Sequence, residues 1–217
     1  HRARQGFVEQ RTATINRIRG LLSEVGIVMP LKAETVRKMA REHLEDLPGY
    51  LNQVINDQLD ELARLDERVG EYDVMIKQMA HSNERSKRLM QICGIAETTS
   101  SAIEATVGNG HDFNNGRQFS AWLGLVPRQR GSGGKTHLGR ITKAGDPYLR
   151  TLLILGARAV LNAAEKKKDR MSQWALEVKK RRGYGKALVA IAAKNARIAW
   201  AMLSKGLDYR QAEQLEA

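Results

Sequence analysis

A seven-residue repeat of apolar side chains constrains the fold of this chain more than any other feature. One position of the repeat is held by Ile55, Leu62, Val69 and Ile76. The other position is held by Leu51, Leu65, Tyr72 and Met79, and the polar Gln58 interrupts it. A repeat of this length with charged residues on the remaining faces predicts a coiled coil or a long antiparallel helical hairpin. The partner is either a helix predicted over residues 2–26 or a second subunit, and the pattern does not choose between them.

The other periodic segments also predict helices. Apolar residues recur at three- and four-residue steps, which indicates helices over residues 2–26, 33–46, 117–126, 147–164, 169–181 and 186–204. Asp146 followed by Pro147 is typical of a helix start. Phe119, Trp122 and Leu123 share one helical face and are predicted to lie in the core.

The predicted fold class is all-α, because alternating runs of β-branched residues are few. We expect two domains. Residues 1–90 would form a long coiled-coil or helical-hairpin arm for dimerisation. Residues 91–217 would form a compact helical domain that carries a glycine-rich basic loop.

Charge is distributed unevenly along the chain. Residues 1–112 hold 15 Lys and Arg against 17 Asp and Glu, whereas residues 113–217 hold 21 against 7. Positive charge concentrated in this way favours a polyanionic partner, because each neutralised phosphate releases condensed counterions. A basic surface without a partner is the alternative.

Membrane and secreted classes are not indicated. The chain has no run of about 18 apolar residues, so we expect no membrane span, and no signal peptide opens it. The single cysteine, Cys93, cannot form an internal disulfide, which is consistent with a reducing cytoplasm. The chain begins at His1 without an initiator methionine, so we expect an upstream portion to be missing.

Ser132 is the candidate nucleophile of the glycine-rich basic loop. Glycines on both sides leave its hydroxyl with little steric cover. The neighbouring cations that could bind DNA phosphates are Arg128, Arg130, Lys135, Arg140 and Lys143, with Arg150 following. A hydroxyl attacking a phosphodiester needs such charges to stabilise the phosphate oxygens. The alternative is a disordered loop with a passive serine. A Walker A loop is excluded, because its order of residues is absent.

Two further segments are candidates for nucleic-acid contact. The basic run Lys179, Lys180, Arg181 and Arg182 ends a predicted helix and precedes Tyr184, which could stack on a base. A solvated helix end is the alternative there. The turn Ile92-Cys93-Gly94-Ile95 resembles a helix-hairpin-helix turn, whose backbone N–H groups can face a phosphate. A plain connector is the alternative there.

Metal and triad chemistry have little support in the sequence. The histidines lack metal-ligand spacing, and carboxylates are scarce in the basic half. His137 lies near Ser132, but spacing alone does not make a catalytic triad. We therefore expect no metal site and no cofactor in this chain.

Three motifs together resemble a known family. They are FSAWLGLVP at residues 119–127, RGSGGK at 130–135 and RITKAGDPYLR at 140–150. In this order they resemble the C-terminal domain of the insertion-sequence transposase family IS110, including its IS1111 branch. The resemblance centres on residues 88–175, and the helical segment before it is similar to that family's coiled-coil region.

The resemblance implies a DNA recombinase guided by a non-coding bridge RNA. It places the family's catalytic serine on Ser132, which would form a covalent phosphoserine link to DNA. It also implies an N-terminal RuvC-like domain whose four acidic residues hold Mg²⁺, and this domain is absent from the sequence. We accordingly expect a homo-oligomer of a cytoplasmic, nucleoid-associated protein, incomplete and inactive as this chain alone. The alternative function is a non-catalytic nucleic-acid-binding and dimerisation module.

Overall fold

The computed structural model describes residues 1–132 and 135–215, with the backbone alone described at Ser132, Thr136, Gln211, Ala212 and Leu215. Across these residues it contains ten α-helices, two short 3-10 segments and one two-stranded sheet. The predicted all-α class is confirmed. In chain order the elements are α1 (Arg2–Glu24), α2 (Ala33–Glu42), α3 (Gly49–Ser82), α4 (Glu84–Leu89), α5 (Glu97–Val107), α6 (Gly116–Trp122), β1 (Pro127–Ser132), β2 (Lys135–Ile141), α7 (Pro147–Ala163), α8 (Arg170–Arg182), α9 (Tyr184–Ser204) and α10 (Tyr209–Leu215).

The chain forms two compact packing units, His1–Met75 and Ile76–Ala217, and the division falls inside α3. A packing unit is defined by contacts, whereas a domain is defined by independent folding. The domain boundary between residues 90 and 91 therefore stays a prediction.

The first unit is a helical hairpin that buries most of the apolar repeat within one chain. Its core combines residues of α1, α2 and α3, namely Ile15, Ile18, Leu22, Val36, Ala40, Leu47, Leu51, Ile55, Leu59 and Leu62. The two repeat positions Ile55 and Leu62 are fully buried. Because α1 already covers this apolar stripe, its burial does not require a second chain.

Side-chain pairs along the hairpin show that α1 is the intramolecular partner of α3. Phe7 and Tyr72 lie with ring centroids 5.6 Å apart. Arg17 Nη1 donates to Gln58 Oε1 at 2.7 Å, so the polar interruption of the repeat has a partner. Asp66 forms ion pairs with both Arg11 and Arg37. The sequence left open whether the apolar repeat packs against the first helix or against a second subunit, and the structure contains the packing against the first helix. Association with another subunit stays a prediction.

The second unit is organised around α9. Helices α4, α6, α7, α8 and α10 all contact it. Its small buried residues allow this close approach, and they include Ala187, Ala192, Ala196, Ala199 and Ala201. Among the described residues, α9 is also the one helix whose length and hydropathy would allow it to cross a membrane. However, 67% of that apolar window is buried inside the protein, as befits a central core helix.

Helix starts in this unit follow the capping signals in the sequence. The Asp146 carboxylate accepts hydrogen bonds from the backbone N–H groups of Tyr148 and Leu149, at 2.8 and 3.2 Å. Asp169 does the same for Ser172 N at 3.0 Å and also accepts from its hydroxyl. These hydrogen bonds from Ser172 lower the pKa of the Asp169 carboxyl. The caps fix where α7 and α8 begin, and α7 begins just after the basic hairpin.

Candidate nucleic-acid interface

The glycine-rich segment, which the sequence predicts as a loop, forms an antiparallel hairpin. In its register, Pro127 pairs with Ile141, Arg130 with His137, and Ser132 with Lys135. An irregularity interrupts the register next to Pro127. Gly133 and Gly134 lie outside the described residues.

The register places the backbone position of Ser132 next to positions that hold cations. Arg130 and Ser132 are two positions apart on β1, so strand alternation assigns both positions to one face. Their cross-strand partners, His137 and Lys135, share that face. The side chain of Ser132 lies outside the described part of the chain, and its role as nucleophile stays a prediction.

A cavity of about 440 Å³ opens beside the hairpin. Its lining includes Arg128, Arg130, Arg140 and Lys143, together with His137, and no carboxylate lines it. Like charges gathered around one cavity repel each other unless an anion lies between them. The arrangement therefore has the charge and the donors to hold a phosphate group. It brings together four of the predicted site residues.

Two glycines fix the base of the hairpin by direct backbone contact. Gly124 and Gly145 both adopt positive φ, at +71° and +75°. A Cβ at Gly145 would lie 1.8 Å from the carbonyl oxygen of Trp122, and one at Gly124 would lie 2.3 Å from that of Ala144. Any side chain at either position would push the two segments apart. The segments before and after the hairpin are thus held together without intervening side chains.

Backbone hydrogen bonds complete this base. Thr142 N donates to Val126 O at 2.9 Å, and Lys143 N donates to Gly124 O at 3.2 Å. Lys143 itself has a positive φ of 55°. Its side chain is exposed and reaches the cavity. The turn that closes the base therefore also presents one of the cations.

Arg150 lies beneath the hairpin rather than on its open face. From the first turn of α7, its half-buried side chain donates through Nη1 to the carbonyl oxygens of Leu123 and Ala144, both at 3.0 Å. These two carbonyls belong to the two segments that meet at the base. The contacts give Arg150 a structural role, and its predicted contact with a DNA phosphate stays a prediction.

The second basic cluster lies at the C-terminal end of α8 and does not line the hairpin cavity. Lys179 Nζ forms an ion pair with Glu165 Oε1 at 3.0 Å, while Lys180, Arg181 and Arg182 are exposed. Cations here complement the negative end of the α8 dipole. Tyr184 is exposed and its hydroxyl contacts Asn162 Oδ1 at 3.4 Å. The cluster remains a predicted phosphate contact.

The helix-hairpin-helix prediction falls on the turn between α4 and α5. Gly94 has a φ of +89°, and Ile95 N donates to Ile92 O at 2.9 Å. A Cβ at Gly156 of α7 would lie 1.9 Å from Gly94 O, so these two backbones also touch. Packing on α7 accounts for a glycine at position 94. Contact with DNA at this turn stays a prediction.

Two features escaped the sequence reasoning. Trp122 was expected in the core with Phe119 and Leu123, but its side chain is 38% exposed, and that expectation is wrong. It is the last residue of α6, whereas Leu123, one residue further along, is fully buried. Lys194 is buried within α9, with Nζ 4.8 Å from the Trp174 ring centroid, and burial lowers its pKa. A lysine in an apolar helical stretch was the available signal.

Acidic and metal-binding side chains do not cluster near the hairpin. Among the described residues, no group of three or more His, Cys, Asp or Glu side chains could hold a metal ion. The resemblance assigns Mg²⁺ to a RuvC-like domain outside this chain, and that assignment stays a prediction.

The fold and hairpin define a mainly helical protein with a cationic cavity suited to a phosphate polyanion. Residues 86–172 match the model of the transposase family described as IS116/IS110/IS902.

Similarity to individual transposases extends along nearly the whole chain. A probable family 20 transposase from Pseudomonas aeruginosa is 40% identical over 97% of this chain and 64% of its own length. The transposase for insertion sequence element IS1111A from Coxiella burnetii is 41% identical over 95% of this chain and 58% of its own length. The transposase for IS1328 from Yersinia enterocolitica is 33% identical over 95% and 62%. The chain thus spans about three-fifths of the length of these relatives.

Proposed function

We propose that this chain is the DNA-handling and strand-cleaving part of an insertion-sequence transposase, with Ser132 as the nucleophile. The observation that carries the proposal is the register of the hairpin. It pairs Ser132 with Lys135 and assigns Arg130 to the same face, beside a cavity lined by cations. The names of the related transposases support the assignment to DNA rearrangement.

The proposed step is a transesterification at phosphorus. The Ser132 oxygen forms a bond to the scissile phosphorus and gives up its proton, while the bond to the leaving sugar oxygen breaks and that oxygen gains a proton. The phosphodiester becomes a phosphoserine ester and a free DNA hydroxyl. No oxidant or reductant is needed, and reversal of the step onto another strand rejoins DNA.

The cations of the cavity stabilise charge during this step. Charge accumulates on the non-bridging phosphate oxygens in the transition state, and fixed donors aimed at those oxygens lower the barrier. Arg130 can donate two parallel hydrogen bonds to a phosphate, which a lysine cannot. Lys135 adds a compact charge directly across from Ser132.

The resemblance extends the proposal to partners. A non-coding guide RNA would select the DNA, and a RuvC-like domain outside this chain would supply Mg²⁺. The complete enzyme would act as a homo-oligomer in the cytoplasm, on the nucleoid. This chain alone would bind nucleic acid without cutting it.

Covalent trapping tests the nucleophile. The chain, joined to the acidic domain of its family, is incubated with DNA carrying the insertion-sequence ends, and adducts that survive detergent are mapped by mass spectrometry. We expect an adduct at Ser132 that Ser132→Ala abolishes without loss of DNA binding. Ser82→Ala, a change at an exposed serine at the end of α3, is the matched control and should keep the adduct. A normal adduct yield in Ser132→Ala would leave only the non-catalytic binding module.

A further inference from the structure

Three aromatic rings form a stack next to the hairpin base. The Phe119 and Trp122 rings are 19° from parallel with centroids 6.1 Å apart, and Phe113 packs against both, at 5.1 and 5.5 Å. Phe119 is fully buried, whereas Trp122 is 38% exposed. The stack therefore begins in the core and ends at the surface.

Part of Trp122 is open to solvent. Its ring lies nearly parallel to that of Phe119, and 38% of the residue remains exposed. Contacts with two phenyl rings also restrict the rotation of the indole. A rigid aromatic ring with an open face loses little conformational entropy when another flat ring stacks on it.

The position of Trp122 ties this exposed area to the phosphate-binding surface. Its carbonyl oxygen touches Gly145 at the hairpin base, and the next carbonyl, of Leu123, accepts from Arg150. Lys143, two residues before Gly145, lines the cationic cavity. Trp122 and Lys143 therefore flank one backbone junction, which brings the exposed residue next to a segment that lines the cationic cavity.

We infer that Trp122 is a stacking platform for an unpaired nucleobase of the strand held by the hairpin. The inference rests on the proposed function, since the hairpin must bind the strand. A base inside a duplex is stacked on both sides, so only an unpaired or displaced base presents a free face. The ligand class is therefore a single-stranded or locally opened nucleic acid.

Binding to matched oligonucleotides separates base stacking from phosphate attraction. The probes are an oligothymidylate, an oligouridylate and an abasic oligodeoxynucleotide of equal length, which has phosphates but no bases. Removing an aromatic ring on which a base stacks weakens single-strand affinity about tenfold. We expect that loss in Trp122→Leu with the oligothymidylate or the oligouridylate, and no change with the abasic strand. The probe with the larger loss identifies DNA or RNA as the source of the base.

Fluorescence provides the second readout. Stacking on a base quenches an indole, so we expect quenching by the base-containing strands and not by the abasic strand. Trp122→Leu should remove the quenching, and Trp122→Phe should retain most of the affinity, because a phenyl ring can still stack. Trp174→Phe is the control and should leave the quenching unchanged. Leucine keeps Phe119 covered, and circular dichroism shows that the variants are folded.

The outcomes distinguish this inference from the proposed function. Equal affinity of the wild-type protein and Trp122→Leu for the base-containing strands overturns the stacking role. Tight binding of the abasic strand would then leave the basic hairpin intact as a phosphate site. Failure of the wild-type protein to bind any of the three probes overturns both the stacking role of Trp122 and the proposed function. A change in self-association without a change in quenching assigns Trp122 to a protein contact and also overturns the inference.

Discussion

The guanidinium of Arg150 and the carbonyl oxygen of Leu123 lie within hydrogen-bonding distance, with Nη1 3.0 Å from the oxygen. The same nitrogen reaches Ala144 O on the returning segment. One side chain therefore bridges the polypeptide that enters the hairpin and the polypeptide that leaves it. This bridge makes the hairpin base a fixed part of the helical body.

Removing the bridge formed by Arg150 should destabilise the hairpin base. In Arg150→Met the carbonyls of Leu123 and Ala144 lose their shared donor, and we expect a loss of about 1–3 kcal/mol in the free energy of unfolding. Urea denaturation measures it. Arg158→Met makes the same change at an exposed position of α7 and should leave stability almost unaltered. Equal stability of the two variants would mean that the bridge contributes nothing.

A carboxylate in the core of the first unit should unfold its hairpin. Leu62 is fully buried between α1 and α3, and an unpaired charge there costs several kcal/mol, roughly. We expect Leu62→Asp to lose helicity by circular dichroism. Val54→Asp, on the same helix but 41% exposed, is the control and should keep it. Full helicity of Leu62→Asp with a halved mass by light scattering would instead place Leu62 in a subunit interface.

Nucleic-acid affinity should fall steeply as salt rises. Each phosphate neutralised by a cation contributes a slope of about −0.9 to the plot of log affinity against log salt concentration. We expect Arg130→Gln to reduce the magnitude of the slope by about one such unit. Arg64→Gln, an exposed change on α3, is the charge-matched control and should leave the slope as it is. Identical slopes for the two variants would remove Arg130 from the binding face.

The start of α8 should weaken in acid. Hydrogen bonds from Ser172 lower the folded-state pKa of Asp169, so the cap stabilises the protein fully above the unfolded-state pKa. That contribution is lost as the pH falls through the lowered folded-state pKa. We expect Asp169→Asn to be less stable than wild type at neutral pH, with the difference shrinking in acid. Thermal unfolding across this range measures it, and a gap that does not vary with pH would contradict the charged cap.

Helix positions were largely predictable because local chemistry encodes them. Asp146 with Pro147 marks the start of α7, and the apolar steps in α9 mark its buried face. The partner of α3 was not predictable, because an apolar repeat is satisfied equally by α1 or by another chain. Asp66 of α3 forms ion pairs with Arg37 and Arg11, which lie 29 and 55 positions away in the sequence.

The hairpin and Trp122 were harder to predict for a related reason. Glycine and arginine in residues 128–140 carry little strand preference, so the pairing depends on tertiary anchoring at Gly124 and Gly145. The exposure of Trp122 could not be predicted from the helical face that it shares with Phe119 and Leu123, because a shared face does not fix how far each side chain is buried. The terminal helix α10 was also missed, since its short, polar sequence lacks a periodic signal.

The meeting of Gly124 with Ala144, and of Gly145 with Trp122, has a consequence for changing what the protein recognises. The two strands leave the body from a junction of main-chain contacts, which Arg150 and Arg128 reinforce by donating to backbone carbonyl oxygens. Replacing side chains between Arg128 and Arg140 should then alter which ligand is contacted while the strands keep their exit angle. The ligand-contacting side chains of the hairpin should therefore be exchangeable without disturbing the junction that joins it to the helical body.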